Sequence, residues 1–419
     1  MTRLQPPSDP VTIELDGRLL IAGRGEPAAV ALIADGHAAL ARSPKFHRPR
    51  GPACLRAACD GCLARVNGVP NVMTCRVPAT EGMLIETQNV VGSRDVDLLR
   101  MTDWFFPEGM NHHELFAGVP GVERVMQALA RRVAGLGRLP TEAGDRRPTA
   151  ASRREADVLI VGTGPAGMAA AIELAARGRQ VELVEDDLDW GGSLRALPGE
   201  SKRPWERLVD VFAAELRVAR VGVRLRTTAA GIYEGDVLVA HEGGLEVVTA
   251  RTLVLAPGAH DGVIAFEGND VPGILSARAA CRLLGHGVAP GRRVVVVVTK
   301  DGGPFGEVFA RAYSSATVLS GVPVRVRGSA RVKSVTIETD GGERQLECDA
   351  LLVDAPRAPA YELCAQAGAE LTSGPVGFTV RTGPGGIVSR GVFAIGEVAG
   401  TPLEPGAIAH AAKEMADRA

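Results

Sequence analysis

Apolar and polar positions change period along the chain, and the changes mark its elements. Val11, Ile13 and Leu15 alternate with Thr12 and Glu14, the two-residue period of a strand with one buried face. Asp16-Gly17 follows and Arg18-Leu19-Leu20-Ile21 resumes the run, so residues 11–21 predict a hairpin. From Pro27 the period lengthens. Residues 28–35 carry a helical apolar pattern, with Pro27 where a first turn tolerates it and Gly36 as the stop. A strand over 63–66, an Asn67-Gly68 turn and a last strand near 83–87 complete a small sheet around one helix. Residues 101–136 hold an apolar group, Trp104, Phe105 and Phe106, and a helical stretch over 122–133. Residues 137–155 are rich in Gly, Pro, Thr and Arg and read as an exposed linker. From Ala156 strands alternate with helices, the pattern of a doubly wound parallel sheet.

Composition supports that reading. The 419 residues suffice for two or three domains, and 51 Gly with 27 Pro suit an α/β protein built on tight turns. A net charge of −2 gives no global pull toward nucleic acid or anionic lipid. No apolar run approaches the roughly 20 residues that span a bilayer. The start, Met1 to Pro7, has no apolar stretch of the signal-peptide kind. The expectation is a soluble, cytoplasmic protein without a transmembrane segment.

Seven cysteines in this length do not make a disulfide scaffold, but four lie within 22 residues. The pattern is Cys54-x4-Cys59-x2-Cys62-x12-Cys75, the plant-type spacing for a [2Fe–2S] cluster. Three thiolates share one tight loop, and the fourth arrives across the Asn67-Gly68 turn. Small residues (Gly51, Ala57, Ala58, Gly61) let backbone N–H groups point at the sulfurs. A structural zinc site would more often show two close C-x2-C pairs, and only one exists here. Arg42, Lys45, His47, Arg48, Arg50 and Arg56 surround the loop; they either raise the cluster's potential or form a rim facing solvent or a partner. Cys281, Cys348 and Cys364 read as buried hydrophobes.

The second signal is an apolar strand over 158–161 running into Gly162-Thr163-Gly164-Pro165-Ala166-Gly167 and a helix stopped by Gly178. The next strand ends in Glu185, 23 residues after Gly162. Glycines allow the tight turn and a close approach to pyrophosphate, the helix N-terminus faces the phosphates, and Glu185 can accept from a ribose hydroxyl. The acidic Glu185, Asp186 and Asp187 disfavour a 2′-phosphate.

Three further stretches resemble two-dinucleotide-binding-domain flavoproteins of the pyridine nucleotide–disulfide oxidoreductase superfamily, and favour FAD. Gly191-Gly192 after Trp190 matches their glycine doublet. Ala256-Pro257-Gly258 resembles their A-T-G turn, with Pro257 in place of Thr. Gly396-Glu397 resembles the G-D motif at the flavin's ribityl chain, with Glu397 where Asp is usual. In the nested second nucleotide domain the glycines would fall at Thr299, Asp301 and Pro304, with Gly302, Gly303 and Gly306 out of register. No NAD(P)H site is expected there, and no C-x2-C or C-x4-C pair follows residue 75 to serve as a redox disulfide.

With the segments over 43–51, 103–107 and 256–273, the chain resembles the α-type subunits of hetero-oligomeric amine oxidases and dehydrogenases. That group includes sarcosine oxidase alpha, opine oxidase, proline and hydroxyproline dehydrogenase and hydrogen cyanide synthase subunits. The resemblance implies an N-terminal β-grasp ferredoxin-like domain followed by a Rossmann-like flavoprotein fold. The expected layout is residues 1–100 for the cluster domain and 101–155 for the connecting segment and linker. The FAD domain takes 156–265 and 376–419, with the nested degenerate nucleotide domain over 266–375. Sarcosine oxidase alpha subunits lack the cysteine ligands and continue into a folate-binding half. The opine and cyanide-forming relatives carry the ferredoxin-like part as a separate small subunit, so this chain looks like a fusion of the two.

The resemblance further implies a partner subunit with a D-amino-acid-oxidase-like fold, and further small subunits. The partner would take hydride from a secondary amine or amino acid. Electrons would pass through FAD and the [2Fe–2S] centre of this chain, with FMN at the partner interface a further candidate. The residues offer no obvious substrate base; His112, His113 and His260 are the ones to name. Two rivals stay open: a free-standing NADH-dependent iron–sulfur reductase, and a mainly structural subunit holding NAD or ATP at Gly162.

Overall fold

The computed structural model describes residues 2–43, 46–90, 92–94, 96–101, 103, 121, 122, 125, 150–218 and 220–419. Trp104–Phe106, His112, His113, most of the helical stretch over 122–133 and residues 137–149 lie outside the described residues. The chain folds into two units. One is formed by Met1–Gly144, Ala265–Val297 and Ser315–Val353, the other by Asp145–Ile264, Val298–Ser314 and Asp354–Ala419.

The first unit opens with a five-stranded sheet in the order Arg18–Gly23, Pro10–Leu15, Met83–Glu86, Leu63–Val66, Val69–Met73. Both hairpins turn at the expected dipeptides. Asp16 and Gly17 take φ of 50° and 85°, and Asn67 and Gly68 take 47° and 80°. Positive φ at both central residues matches the right-handed twist of the flanking strands. The helix Ala28–Ala34 lies across this sheet with Ala28 to Ile33 all buried, and Gly36 at φ 97° ends it. Ile13, Leu32, Ile33 and Ile85 fill the space between helix and sheet. Thr2–Arg3 pairs with Val288–Ala289, and Ala41–Arg42 forms a short hairpin with Pro49–Arg50. Neither pairing shows in the hydrophobic pattern, because strands of two residues are too short for a periodic signal.

The same unit holds a four-stranded sheet in the order Ile274–Ser276, Ala350–Asp354, Val294–Val298, Thr317–Ser320. A three-stranded antiparallel sheet, Val322–Gly328, Val332–Thr339 and Gly342–Glu347, accompanies it. The helix Ala277–Gly285 begins on a side-chain cap, the Ala279 N–H donating to Ser276 Oγ at 3.0 Å.

The second unit is built on an eight-stranded sheet. Val221–Arg224, Val181–Val184, Ser152–Val161 and Gly244–Leu255 run parallel, and Val392–Ala394 joins the far edge of the last. Leu159, Leu183, Leu253 and Leu255 are buried in its centre, as strands covered on both faces require. Residues after Asp354 return to this unit earlier than the expected boundary at 376. Ala358–Pro359 pairs with Ala259–His260, and Cys364 and Val380 enter the same core as Leu159 and Leu255. The apolar runs alone do not reveal which of two cores they join. Among the described residues, no helix is long and apolar enough to cross a membrane.

Candidate functional site

The cysteine loop is shaped by backbone that ordinary residues avoid. Leu55 and Ala57 sit at φ 50° and 60°, the left-handed region. Those turns aim the N–H groups of Arg56 and Ala58 at Cys54 Sγ, at 3.4 and 3.2 Å. Gly61 passes so near Gly51 that a Cβ would sit 1.9 Å from its carbonyl oxygen, so no side chain fits there. Thr74 donates both its N–H (3.2 Å) and its hydroxyl (2.8 Å) to the Cys62 carbonyl, holding the turn that bears Cys75 beside Cys62.

The four thiols form two pairs. Cys54 donates to Cys59 at 3.4 Å. The Cys59 thiol is thereby pulled down to about 6, and Cys62 is lowered in the same way by Cys75. Cys54 and Cys75 are pushed up, first by these partners and then by burial. A [2Fe–2S] cluster would take its four thiolates from these two pairs, Cys54 with Cys59 and Cys62 with Cys75. The donor set, its burial and its N–H···S bonds fit a dinuclear cluster.

The cations around the loop are largely spoken for. Arg48 donates to Asp103 at 2.6 Å, and Arg50 lies 2.9 Å from Asp270. Arg42 is buried and donates to the His47 carbonyl at 3.1 Å, while buried His47 meets Asp97 through Nδ1 at 2.9 Å. A basic rim open to a partner is therefore not what Arg42 and His47 provide: their charges and polar groups are turned inward.

In the other unit, the first strand–turn–helix corner carries the glycine fingerprint. Gly162 has φ 98°, and a Cβ there would meet the Ala256 carbonyl oxygen at 2.4 Å. A Cβ on Gly167 would meet the Gly162 carbonyl oxygen at 2.0 Å, while one on Gly164 would find nothing within 4 Å. Two glycines thus serve packing, and the third leaves the open side a ligand needs. Gly164 begins the helix Pro165–Ala176, with Ala166 in its first turn. Gly192 closes over the turn, its Cβ position 2.8 Å from Gly164 Cα, and the Gly191 N–H donates to the Thr163 carbonyl at 3.1 Å.

Glu185 is buried at the end of its strand. Its Oε2 accepts from the Thr163 N–H (2.8 Å) and hydroxyl (2.5 Å), and Oε1 accepts from the Asp187 N–H (3.1 Å), leaving lone-pair capacity on Oε1. Burial raises its carboxyl above the ordinary range, against the pull of the Thr163 bonds. Gly396, at φ 83°, lies where a Cβ would be 2.7 Å from Ala166 Cβ. Glu397 pairs with Arg357 at 2.7 Å, and its Oε2 is 3.9 Å from a Cβ position on Gly258. The fingerprint, the doublet, Ala256-Pro257-Gly258 and Gly396-Glu397 therefore meet around one helix N-terminus, an arrangement that fits a dinucleotide. His260, two residues beyond Gly258, is paired with Glu362 at 3.1 Å and 41% exposed.

The second nucleotide corner needs one correction. Gly302 is in register: a Cβ there would meet the Asp354 carbonyl oxygen at 2.4 Å, matching Gly162 against Ala256. The helix Phe305–Ala312 starts three residues later, as Pro165–Ala176 starts three after Gly162. Thr299, Lys300 and Asp301 are an inserted turn that displaces the alignment. The Asp354 carboxylate then accepts from the Gly306 N–H at 2.6 Å, occupying the helix N-terminus from within. Burial pushes its carboxyl up to about 6.

Comparison with known proteins follows the same division. Residues 8–90 match the 2Fe-2S iron-sulfur cluster binding domain, and residues 156–319 match the pyridine nucleotide-disulphide oxidoreductase family. The alpha subunit of sarcosine oxidase from Rhizobium meliloti (strain 1021) is 31% identical over 368 residues, 80% of this chain. The chain is an iron–sulfur flavoprotein, similar to those alpha subunits. Its cofactors are [2Fe–2S] and FAD. The iron–sulfur flavoprotein spans 37% of the length of that relative. An opine oxidase subunit from Agrobacterium tumefaciens (strain Ach5) is 28% identical over 158 residues, 34% of this chain and 31% of that one. The crystal structure of L-proline dehydrogenase from P. horikoshii shares the fold, with a TM-score of 0.72 at 23% identity over 99% of this chain and 74% of that chain.

Proposed function

We propose that this iron–sulfur flavoprotein is the electron-accepting subunit of a hetero-oligomeric, cytoplasmic oxidoreductase that works on the CH–NH bond of a secondary amine or amino acid. Its partner is a D-amino-acid-oxidase-like subunit that removes the hydride. The observation that carries this reading is the contrast within one chain: a thiol loop and an open dinucleotide turn coexist with a second turn closed by Asp354. A flavin whose nicotinamide site is closed takes its electrons from another protein. FAD accepts electron pairs and the [2Fe–2S] centre passes single electrons, which is what the two cofactors supply when bound.

The residues have separate roles. Cys54, Cys59, Cys62 and Cys75 hold the cluster, and the Arg56 and Ala58 N–H groups spread its negative charge. Gly162, Gly164, Pro165, Ala166 and Gly167 cradle the pyrophosphate at a helix N-terminus. Glu185 orients the adenosine ribose through its remaining Oε1 capacity. Gly191 and Gly192 shield the phosphates, and Ala256, Gly258, Gly396 and Glu397 line the side of the flavin's ribityl chain. Coexpression with a D-amino-acid-oxidase-like subunit tests the assignment: a stable complex oxidises a secondary amine while this chain alone does not. Turnover of an amine by the isolated chain defeats it.

A further inference from the structure

We propose that the stretch 270–282 clamps the cluster loop, with Arg282 as the positioning residue for the Cys54 end of that loop. The inference rests on the cluster reading of Cys54, Cys59, Cys62 and Cys75 and goes beyond it. The stretch 270–282 meets the loop at successive points within one unit. Asp270 pairs with Arg50 at 2.9 Å, and Pro272 lies 3.2 Å from the place a Cβ of Gly51 would occupy. The Ser276 N–H donates to the Ala53 carbonyl at 2.9 Å, and Arg282 Nη1 donates to the Leu55 carbonyl at 2.8 Å.

Ala53 and Leu55 flank Cys54, so both of its neighbours are held through their carbonyls by one helix and its cap. The second bond has a consequence for the sulfur. A trans peptide is planar, with its C=O and N–H pointing to opposite sides. Turning the Leu55 carbonyl toward Arg282 therefore turns the N–H of Arg56, in the same peptide unit, away from the helix. That N–H reaches Cys54 Sγ at 3.4 Å. The bond also holds Leu55 at φ 50°, a left-handed conformation that a non-glycine residue keeps only with support. Arg282 thus acts on the cluster through one peptide plane, and its charge adds in the same direction. Hydrogen bonds and positive charge near the sulfurs favour the reduced, more negative cluster.

The test uses the full chain with its cluster, comparing wild type, Arg282→Met and Arg282→Lys. The readouts are the cluster's midpoint potential, followed by EPR during a reductive titration, and the rate of iron loss to a chelator. Arg282→Met is expected to lower the potential and to release iron roughly tenfold faster, with FAD retained. Arg282→Lys keeps the charge without the planar fork and is expected to fall between the two. A folded Arg282→Met chain with wild-type potential and iron release overturns the proposal. If that variant does not fold, a wild-type potential in Arg282→Lys overturns it instead. A wild-type chain that takes up no iron removes the cluster reading and this proposal together, whereas unchanged variants remove only the clamp.

Discussion

Two turn–helix corners in the second unit are built alike and end differently. At both, a glycine passes within 2.4 Å (glycine Cβ position to carbonyl oxygen) of the neighbouring strand's end, Gly162 against Ala256 and Gly302 against Asp354. At both, a helix begins three residues further on. At the first, Gly164 leaves its surroundings open, and the acidic group, Glu185, stands back on the next strand where it binds Thr163. At the second, the acidic group is Asp354 itself, and it sits on the Gly306 N–H. The shared part is packing, which the sheet demands wherever a helix must lie close on a strand. The differing part includes which group meets the helix N-terminus: Asp354 fills it at the second corner, and among the described residues no side chain does so at the first.

The largest effect should come from filling the first corner. Gly167→Val places a side chain where even a Cβ would be 2.0 Å from the Gly162 carbonyl oxygen, so purified protein should contain no FAD. Full flavin content by absorbance would show that the corner is not the flavin site. The second corner is probed through pH. Asp354 titrates near 6 in the fold, raised by burial from an unfolded value of 3.8. The fold therefore prefers the protonated acid. That contribution is complete below pH 3.8 and is lost as pH rises through about 6, amounting to about 2–3 kcal/mol. Asp354→Asn should flatten the stability profile over that window, measured by denaturant unfolding at each pH.

Glu185→Ala sharpens the contrast from the other side. On the proposed assignment it would remove a charge-assisted ribose contact worth about 1.5–3 kcal/mol, and FAD affinity should then fall roughly ten- to a hundred-fold in equilibrium binding. Equal changes in Glu185→Ala and Asp354→Ala would erase the distinction between the corners. The smallest effect lies on the same sheet, at the end away from the first corner, where Glu246 pairs with Ser152. Glu246 is held down to about 2, first by Arg224 and also by Arg154. Its contribution is present above pH 4.5 and fades as pH falls toward 2. Glu246→Gln should cost no more than about 1 kcal/mol in thermal unfolding near neutral pH.

Much of this was legible in the residues because it is local. The Cys54–Cys75 spacing, the Asp16-Gly17 and Asn67-Gly68 turns and the Gly162–Gly167 fingerprint each lie within a short window. What escaped is long-range. Thr2–Arg3 finds its partner near residue 288, and Arg282 finds Leu55 across more than two hundred positions. Gly302 falls out of alignment because an insertion of three residues after Val298 lengthens the turn, and only the close approach to Asp354 shows its register. The ion pairs of Arg48 and Arg50 do not show in the sequence because their carboxylates, Asp103 and Asp270, are remote in the chain.

The central claim, one open corner and one closed corner in a chain that also carries a cluster, is tested most directly by anaerobic reduction. The full chain, quantified for iron and flavin, is titrated with NADH and then with dithionite while its visible spectrum is followed. The account predicts two irons per FAD, no bleaching by NADH and full bleaching of both chromophores by dithionite. Rapid stoichiometric bleaching by NADH would contradict it.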